Sequence, residues 1–310
     1  MIIYTASQIK DALNLIHDLP FILQAIRDEL ISFSKGNYIT PIPLHLDLSE
    51  SKGECHIKTG YNKYDDIFVI KVATGFYTNV LSGLPAGDGL MLIVCKKTGL
   101  IKFILYDAGY LTTLRTAITA CLTASLTPWE INRVSVIGTG NLAQFVLALM
   151  HQQYPKAIIH LWGRNKLKVK QIQAKNPYVR PEDNLSSLIN QGGIVCTTTA
   201  SKTPIIYPQD ICDKIHIIAL GADQPGKQEI DTEVFSMADL VIVDNKEQAY
   251  HFGDSAIALE NKKITSCDLI EIGHVLQFKI NKNTHMIITD LIGTAPQDIG
   301  IAKYLLQYIT

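Results

Sequence analysis

The stretch VIGTGNLAQF at 136–145 decides the fold of much of this chain. Gly138, Gly140 and Ala143 match the pattern G-x-G-x-x-A, between an apolar run and a helical pattern. The first glycine permits a tight turn, the second lets a pyrophosphate approach the backbone, and the small third residue lets helix and strand pack closely. The helix start offers N–H groups to phosphate. The stretch therefore predicts a dinucleotide site, with a glycine-rich packing turn as the alternative.

Strands and helices alternate along the chain from residue 133 onward. Five apolar runs have the composition of strands buried on both faces: RVSVIG, AIIHLWG, GGIVCTTT, KIHIIALG and DLVIVD. The run NLAQFVLALMHQQY, between the first two, has helical spacing. This alternation predicts an α/β fold with a doubly wound parallel sheet of the Rossmann type.

The chain before residue 111 has a different pattern. Apolar residues recur at helical spacing over about 5–35, with Thr5 or Ser7 as candidate cap. Short β-branched runs follow: HIKTGY, DIFVIKVA, LMLIVCK and LIKFILYD. KKTG between the last two predicts a hairpin turn. We expect an α+β region with an antiparallel sheet, then a helix over 111–126, and a last helix at DIGIAKYLLQYI.

Composition restricts the class of protein. The chain has 310 residues, enough for two domains, and is 47% hydrophobic and 18% charged, which suits a substantial core. The net charge of −1 argues against nucleic acid or an anionic membrane as main partner. No signal peptide and no apolar run of ~20 residues is present. Six scattered cysteines without metal-ligand spacing predict buried reduced thiols, no metal site and a cytoplasmic location.

The stretch AIIHLWGRNK at 157–166 bears on the choice of nucleotide. A carboxylate at the end of this second strand would accept a hydrogen bond from the ribose 2′-OH of NAD and repel the 2′-phosphate of NADP. Gly163 stands there instead, followed by Arg164, whose planar donors suit a phosphate. The pattern favours NADP(H) and leaves NAD(H) possible. Alternatively, Arg164 stacks on the adenine, while Lys166 and Lys168 form a solvated helix face.

Three further residues are candidates for chemistry. Lys71 lies within the apolar run DIFVIKVA, so its ammonium must either reach solvent or meet an anion. Arg115 lies near a predicted helix start, and a structural ion pair is its alternative role. Asp223 follows an apolar strand, where α/β sheets place ligands, or it caps the turn that D-x-P-G favours. Spacing alone does not bring these residues together.

Several motifs in order now point to a family: KVATGFYTN, LSGLP, KTGLIKFILYDAGYLTTLRTA, VIGTGN, LGADQPGKQEID and DLIGTAPQDIGIA. Together they resemble the ornithine cyclodeaminase/mu-crystallin family over nearly the whole chain. The resemblance implies a homodimer acting on a small amino or imino acid. It implies a substrate and dimerisation domain over 1–115 with 294–310, and an NAD(P)-binding Rossmann domain over 116–293.

The same resemblance implies roles for individual residues. Lys71 and Arg115 would hold the substrate carboxylate, and Asp223 would be the acid or base at the reacting nitrogen. The contacts implied for the cofactor are Thr116, Gly138, Gly140, Asn141, Ala143, Arg164 and Thr198. One departure is that TPIPLHLDL lacks the arginine that many members carry there, so we expect Lys58 to supply that cation.

Three functions follow from this resemblance. The first is an NAD(P)H-dependent reductase or dehydrogenase acting on the C=N or C–N bond of an α-imino or α-amino acid, such as a ketimine or Δ1-pyrroline-2-carboxylate. The second is a cyclodeaminase that converts ornithine to proline with tightly bound NAD. The third is a ligand-binding protein without catalysis. NADP(H) preference favours the first, because net reduction uses that cofactor pool.

Overall fold

The structure is a computed structural model that describes residues 1–76 and 78–309. The chain divides into two compact units, one formed by residues 1–115 with 294–310 and one by residues 116–293. Across the described residues, no helix combines the length and the hydropathy that crossing a membrane requires.

The described residues form the following regular elements. The helices are α1 Ala6–Asp11, α2 Leu15–Ser32, α3 Tyr110–Ala124, α4 Asn141–Gln153, α5 Lys166–Lys175, α6 Leu185–Asn190, α7 Thr232–Phe235, α8 Gly253–Glu260, α9 Ile272–Val275 and α10 Ala295–Ile309. The strands are β1 Ile2–Thr5, β2 Tyr38–Ile39, β3 Leu44–Leu48, β4 Gly53–Asn62, β5 Ile67–Phe76, β6 Gly87–Cys95, β7 Ile101–Tyr106, β8 Arg133–Ile137, β9 Ile158–Trp162, β10 Val179–Pro181, β11 Gly193–Thr197, β12 Ile215–Ala219, β13 Leu240–Val243, β14 Leu269–Glu271 and β15 Met286–Asp290.

The first unit is built on a seven-stranded sheet in the order β1-β7-β6-β5-β4-β2, with β3 also paired to β4. The predicted antiparallel pairing is confirmed for β4 to β7. Strand β1 was not predicted, because its four residues run into the first helix without a turn signal. It pairs parallel to β7. Strand β5 is central, so the side chains on its buried face have no route to the sheet edge.

The helices of the first unit differ from the prediction at one point. A single helix over 5–35 is wrong, because α1 and α2 are separated by residues 12–14. Of the two predicted caps, Thr5 is the N-cap of α1, and its N–H donates to Gln8 Oε1 at 2.9 Å. The last helix, α10, packs on α2 and also contacts β4 and β5. A Cβ added at Gly300 would lie 3.0 Å from Ile26 Cα, so α10 and α2 approach each other closely.

The second unit confirms the parallel, doubly wound sheet. Its eight strands are all parallel, in the order β10-β9-β8-β11-β12-β15-β13-β14. The five predicted strands are β8, β9, β11, β12 and β13. Three strands were not predicted: β10, β14 and β15. Strand β15, MIITD, was missed because its apolar run, MII, is only three residues long, although the strand lies buried between β12 and β13.

The six cysteines are all free, but the prediction that they are buried is wrong for four of them. Cys121 and Cys196 are buried, and Cys267 is exposed. The other three, Cys55, Cys95 and Cys212, are half-buried. They lie near the ends of strands or in loops, where an apolar run in the sequence does not guarantee burial.

Candidate functional site

The glycine-rich turn of the second unit connects β8 to α4. Gly138 has φ +131°, and a Cβ there would lie 2.2 Å from Thr198 Oγ1. Gly140 is the N-cap of α4 without a side-chain cap, and a Cβ there would meet nothing within 4 Å. The turn therefore has no room for a side chain at its first glycine and has room at its second, where α4 begins with the N–H groups that in other proteins bind phosphate. This shape fits a dinucleotide pyrophosphate.

The other residues expected at the cofactor lie in the same unit, and Thr198 contacts the turn directly. Thr198 donates both its N–H and its hydroxyl to Ile137 O, at 2.9 and 3.0 Å, so its side chain braces the end of β8. Ala143 is buried, as close packing of α4 on the sheet requires. Asn141 is exposed at the start of α4, and Thr116 is half-buried on α3.

The three basic residues that follow β9 differ in their exposure and contacts. Arg164 and Lys168 are exposed. The Lys166 side chain is held by two hydrogen bonds, because its Nζ donates to Glu182 O and Asp183 O at 3.1 Å each. Arg164 is therefore the exposed cation directly beside the glycine where NAD-specific folds carry a carboxylate.

Asp223 lies in the loop that follows β12, the position where ligands bind in this class of sheet. Its Oδ1 accepts from Lys227 Nζ at 2.9 Å. The Lys227 side chain is only 6% exposed, whereas that of Asp223 is 38% exposed. A buried ammonium thus orients a carboxylate that still faces open space, as an acid or base requires.

Glu229 joins this loop to the loop after β11. Its carboxylate accepts the hydroxyls of Thr197 and Thr199, each at 2.7 Å, and the N–H groups of Thr199 and Gly221, at 2.6 and 2.8 Å. Its own N–H donates to Asp254 Oδ1 at 2.8 Å. The carboxylate is fully buried, so these donors offset the cost of removing it from water. The loops that carry Thr198 and Asp223 are therefore held by one residue.

Two more carboxyl groups lie beneath this network. Burial raises the pKa of Asp290 to about 7, although its Oδ2 accepts from the N–H and hydroxyl of Ser255. Burial, followed by the charge of Asp290, raises the pKa of Asp254 well above its ordinary value. Burial also raises the pKa of Glu229. The loop ends of the second unit therefore rest on carboxyl groups that hold protons more tightly than in water.

The first unit gathers three cations. Lys71 on β5 and Lys58 on β4 are directly opposite in the antiparallel register. Asp298, in the first turn of α10, accepts from Lys71 Nζ at 2.9 Å and lies 3.1 Å from Arg115 Nε. Arg115 also donates to Gln297 Oε1 at 2.5 Å. Lys71 therefore meets an anion and does not reach solvent.

The charges in this cluster are desolvated. Lys58, Lys71 and Arg115 are 6%, 2% and 4% exposed. Burial, followed by the charge of Arg115, lowers the pKa of Lys71 to about 7. Burial raises the pKa of the neighbouring Asp107 to about 6, so that group is a weakened counter-ion. Such a cluster favours a further anion, and a carboxylate matches the fork of Arg115.

Sequence reasoning missed Gln297 and Asp298. Both are buried, at 1% exposure, and both hold Arg115. Lys71, inside an apolar strand, indicated that an anion could lie near its side chain. No local sequence pattern identified that anion as Asp298. Among the described residues, no group of His, Cys, Asp or Glu is arranged to hold a metal ion.

The predicted site residues thus divide by unit. Lys58, Lys71 and Arg115 come together in the first unit. The second unit contains Asp223 and the residues expected at the cofactor: Thr116, Gly138, Gly140, Asn141, Ala143, Arg164 and Thr198.

Comparison with known proteins gives consistent results. The model of the ornithine cyclodeaminase/mu-crystallin family matches residues 3–309. A Sinorhizobium fredii protein described as an uncharacterized cyclodeaminase is 30% identical over 277 residues, which cover 86% of this chain and 84% of that protein. A Δ1-pyrroline-2-carboxylate reductase of Bacillus cereus is 24% identical, covering 99% of this chain and 96% of that protein.

A solved structure shows the same fold. The Thermococcus litoralis Δ1-pyrroline-2-carboxylate reductase, in complex with NADH and L-proline, matches with a TM-score of 0.86 and 16% identity. The match covers 99% of this chain and 97% of that chain.

Proposed function

The chain belongs to the ornithine cyclodeaminase/mu-crystallin family, and we propose that it is an NAD(P)H-dependent reductase of the C=N bond of an α-imino acid. The substrate class is a ketimine or a Δ1-pyrroline-2-carboxylate, and the reverse reaction oxidises the corresponding amino acid. The resemblance to relatives with this activity supports the proposal. So does the chemistry of the residues in each unit.

The first unit supplies the carboxylate contacts in this proposal. Arg115 binds the carboxylate of the substrate through its guanidinium fork, and Lys71 and Lys58 add charge. Asp298 and Gln297 hold Arg115 in place before substrate arrives, so little side-chain entropy is lost on binding. The fixed carboxylate in turn orients the adjacent carbon for hydride transfer.

Asp223 supplies the proton chemistry. As its carboxylic acid it donates a proton to the imine nitrogen during reduction, and as its carboxylate it accepts one in reverse. Lys227 orients that carboxylate through the 2.9 Å contact. Glu229 keeps the loop of Asp223 in register with the loop of Thr198.

The second unit holds the nucleotide. Gly138, Gly140 and the start of α4, with Asn141 and Ala143, cradle the pyrophosphate, and Thr116 and Thr198 complete the cofactor site. A bound nicotinamide supplies the hydride for the substrate carbon. The observation that carries the proposal is Gly163 beside the exposed Arg164, which favours NADPH and hence net reduction.

A cyclodeaminase is the second candidate, favoured by the relative from Sinorhizobium fredii. That reaction returns the hydride to the substrate intermediate, so it consumes no reducing cofactor. Ammonia release from L-ornithine without net formation of NADH would identify it. The same measurement distinguishes it from reduction of a cyclic imine acid, which consumes one NADPH per product.

We propose that the first unit also forms a homodimer. Strand β3 exposes Leu44, Leu46 and Leu48 to between 40% and 51%. Leu81 and Leu84 are exposed to 84% and 57% in the same unit. Such an apolar surface is more typical of an interface than of a solvated face. Sedimentation at the mass of a dimer is expected, and a monomer at micromolar concentration would contradict this assembly.

The variant Asp223→Asn tests the acid role. It keeps the size of the side chain but removes its proton chemistry, so kcat for imine reduction should fall by a factor of about 10² or more. NADPH affinity should stay within about twofold. The rate is measured by NADPH absorbance with Δ1-pyrroline-2-carboxylate as substrate. An unchanged kcat would remove Asp223 from the mechanism, and no NADPH or NADH oxidation by the unaltered protein would overturn the reductase.

The pH dependence of carboxylate binding tests Lys71. Because its pKa is lowered to about 7, the ammonium is lost above that pH, and a bound carboxylate should raise the pKa again. The Kd of pyrrole-2-carboxylate, an unreactive analogue, should therefore rise above pH 7 by up to about tenfold per pH unit. Lys71→Arg should abolish this rise, because guanidinium stays charged. A flat profile in the unaltered protein would contradict the role.

Arg164→Ala tests the choice of nucleotide. Loss of the guanidinium should weaken NADPH at least about tenfold more than NADH, because only NADPH carries the 2′-phosphate. Kd values from nucleotide fluorescence give the comparison. Lys168→Ala, which removes another exposed cation near the start of α5, is the matched control and should discriminate less. Equal losses for both nucleotides would indicate that Arg164 stacks on the adenine.

A further inference from the structure

Gly163 lies in a space that admits no side chain. A Cβ built on it would lie 2.5 Å from Thr139 Cγ2 and 3.2 Å from Val169 Cγ2. Separations under 3.0 Å essentially do not occur for Cβ atoms, so even alanine requires a neighbour to move. The glycine at the end of β9 is therefore imposed by packing as well as compatible with a phosphorylated ribose.

The neighbour that closes this space belongs to the glycine-rich turn. Thr139 lies between Gly138 and Gly140, and Gly138 N donates to Trp162 O at 2.9 Å. The pairing of Ile137 with Trp162 brings this turn beside Gly163. The hydrogen bond from Gly138 fixes the start of the turn to the end of β9. Thr139 is thus held against Gly163 from its backbone.

The only separation under 3.0 Å is to an outer atom of Thr139, and Val169 Cγ2 is the next nearest at 3.2 Å. The Cβ of Thr139 would lie 3.7 Å from a Cβ at position 163, which is ordinary contact. Threonine carries two heavy atoms on Cβ, so its χ1 rotation is restricted. In only one of its three staggered rotamers would the Cβ hydrogen, and not a heavy atom, point toward position 163. Removing these atoms should open the space without disturbing the turn.

We propose that Thr139 is a specificity-determining residue for the nucleotide. By excluding any side chain at position 163, it prevents the carboxylate that selects NAD, and so keeps the end of β9 open for the 2′-phosphate beside Arg164. The proposal rests on the proposed function for nucleotide binding alone and is independent of the reaction.

A cycle of variants tests this pair. Gly163→Ala adds one methyl group and no charge, and Gly163→Asp adds the carboxylate. Each is made alone and together with Thr139→Ala, which serves as the reference for both doubles. Tm is measured for all five variants and the unaltered protein, with Kd values for NADPH and NADH.

The expected results depend on the background. Alone, Gly163→Ala should lower Tm by roughly 2–6 °C and weaken the binding of NADPH about tenfold. The double variant should have the same Tm and the same NADPH affinity as Thr139→Ala alone. Alone, Gly163→Asp should weaken both nucleotides. Combined with Thr139→Ala, it should shift the NADH-to-NADPH preference at least about tenfold toward NADH.

Two results would overturn the proposal. In one, Gly163→Ala lowers Tm equally in both backgrounds, so that Thr139 is not what closes the space. In the other, Gly163→Asp alone shifts preference as far as the double variant. If the unaltered protein binds neither nucleotide, both the proposed function and the proposed nucleotide specificity are wrong. The Tm values of the five variants would still show whether residues 139 and 163 collide.

Discussion

The contact of Asp298 with both Lys71 and Arg115 is the interaction on which the first unit depends. Without this carboxylate, two nearly buried cations would lose the anion that they share, a cost of several kcal/mol. Asp298 is shared between Lys71 and Arg115, and burial raises the pKa of Asp107, the other carboxyl group near Lys71. The same arrangement therefore stabilises the fold and underlies the proposal that a substrate carboxylate binds here.

The second unit also depends on a buried charged group, which in this case is an anion. Glu229 is a fully buried carboxylate surrounded by hydroxyl and N–H donors from two loops. Because those loops follow adjacent strands, one side chain sets the position of two candidate site residues, Thr198 and Asp223. Gly221 shows how tight this arrangement is, since a Cβ there would lie 2.0 Å from Thr199 O.

Local patterns in the sequence predicted much of the fold and less of the site. The turn from Gly138 to Gly140 and five parallel strands could be predicted because their signals are contiguous. Strand β15 was missed because its apolar run, MII, is only three residues long, and its burial between β12 and β13 is a property of the assembled sheet. The roles of Gln297 and Asp298 could not be foreseen, since residues 71 and 298 are 227 positions apart. The closure of Gly163 by Thr139 likewise depends on atomic distances between separate loops.

The position of α10 in the first unit has a consequence for folding during synthesis. Residues 116–293 form one continuous segment, so the second unit can fold once that segment has left the ribosome. The first unit must wait for residues 294–310, because α10 packs on α2 and brings Asp298 to Lys71. Until then, Lys71 lacks Asp298 and the surfaces of α2, β4 and β5 that α10 covers are exposed. The nascent chain therefore passes through an interval in which its first unit exposes apolar surface while its second unit is already able to fold.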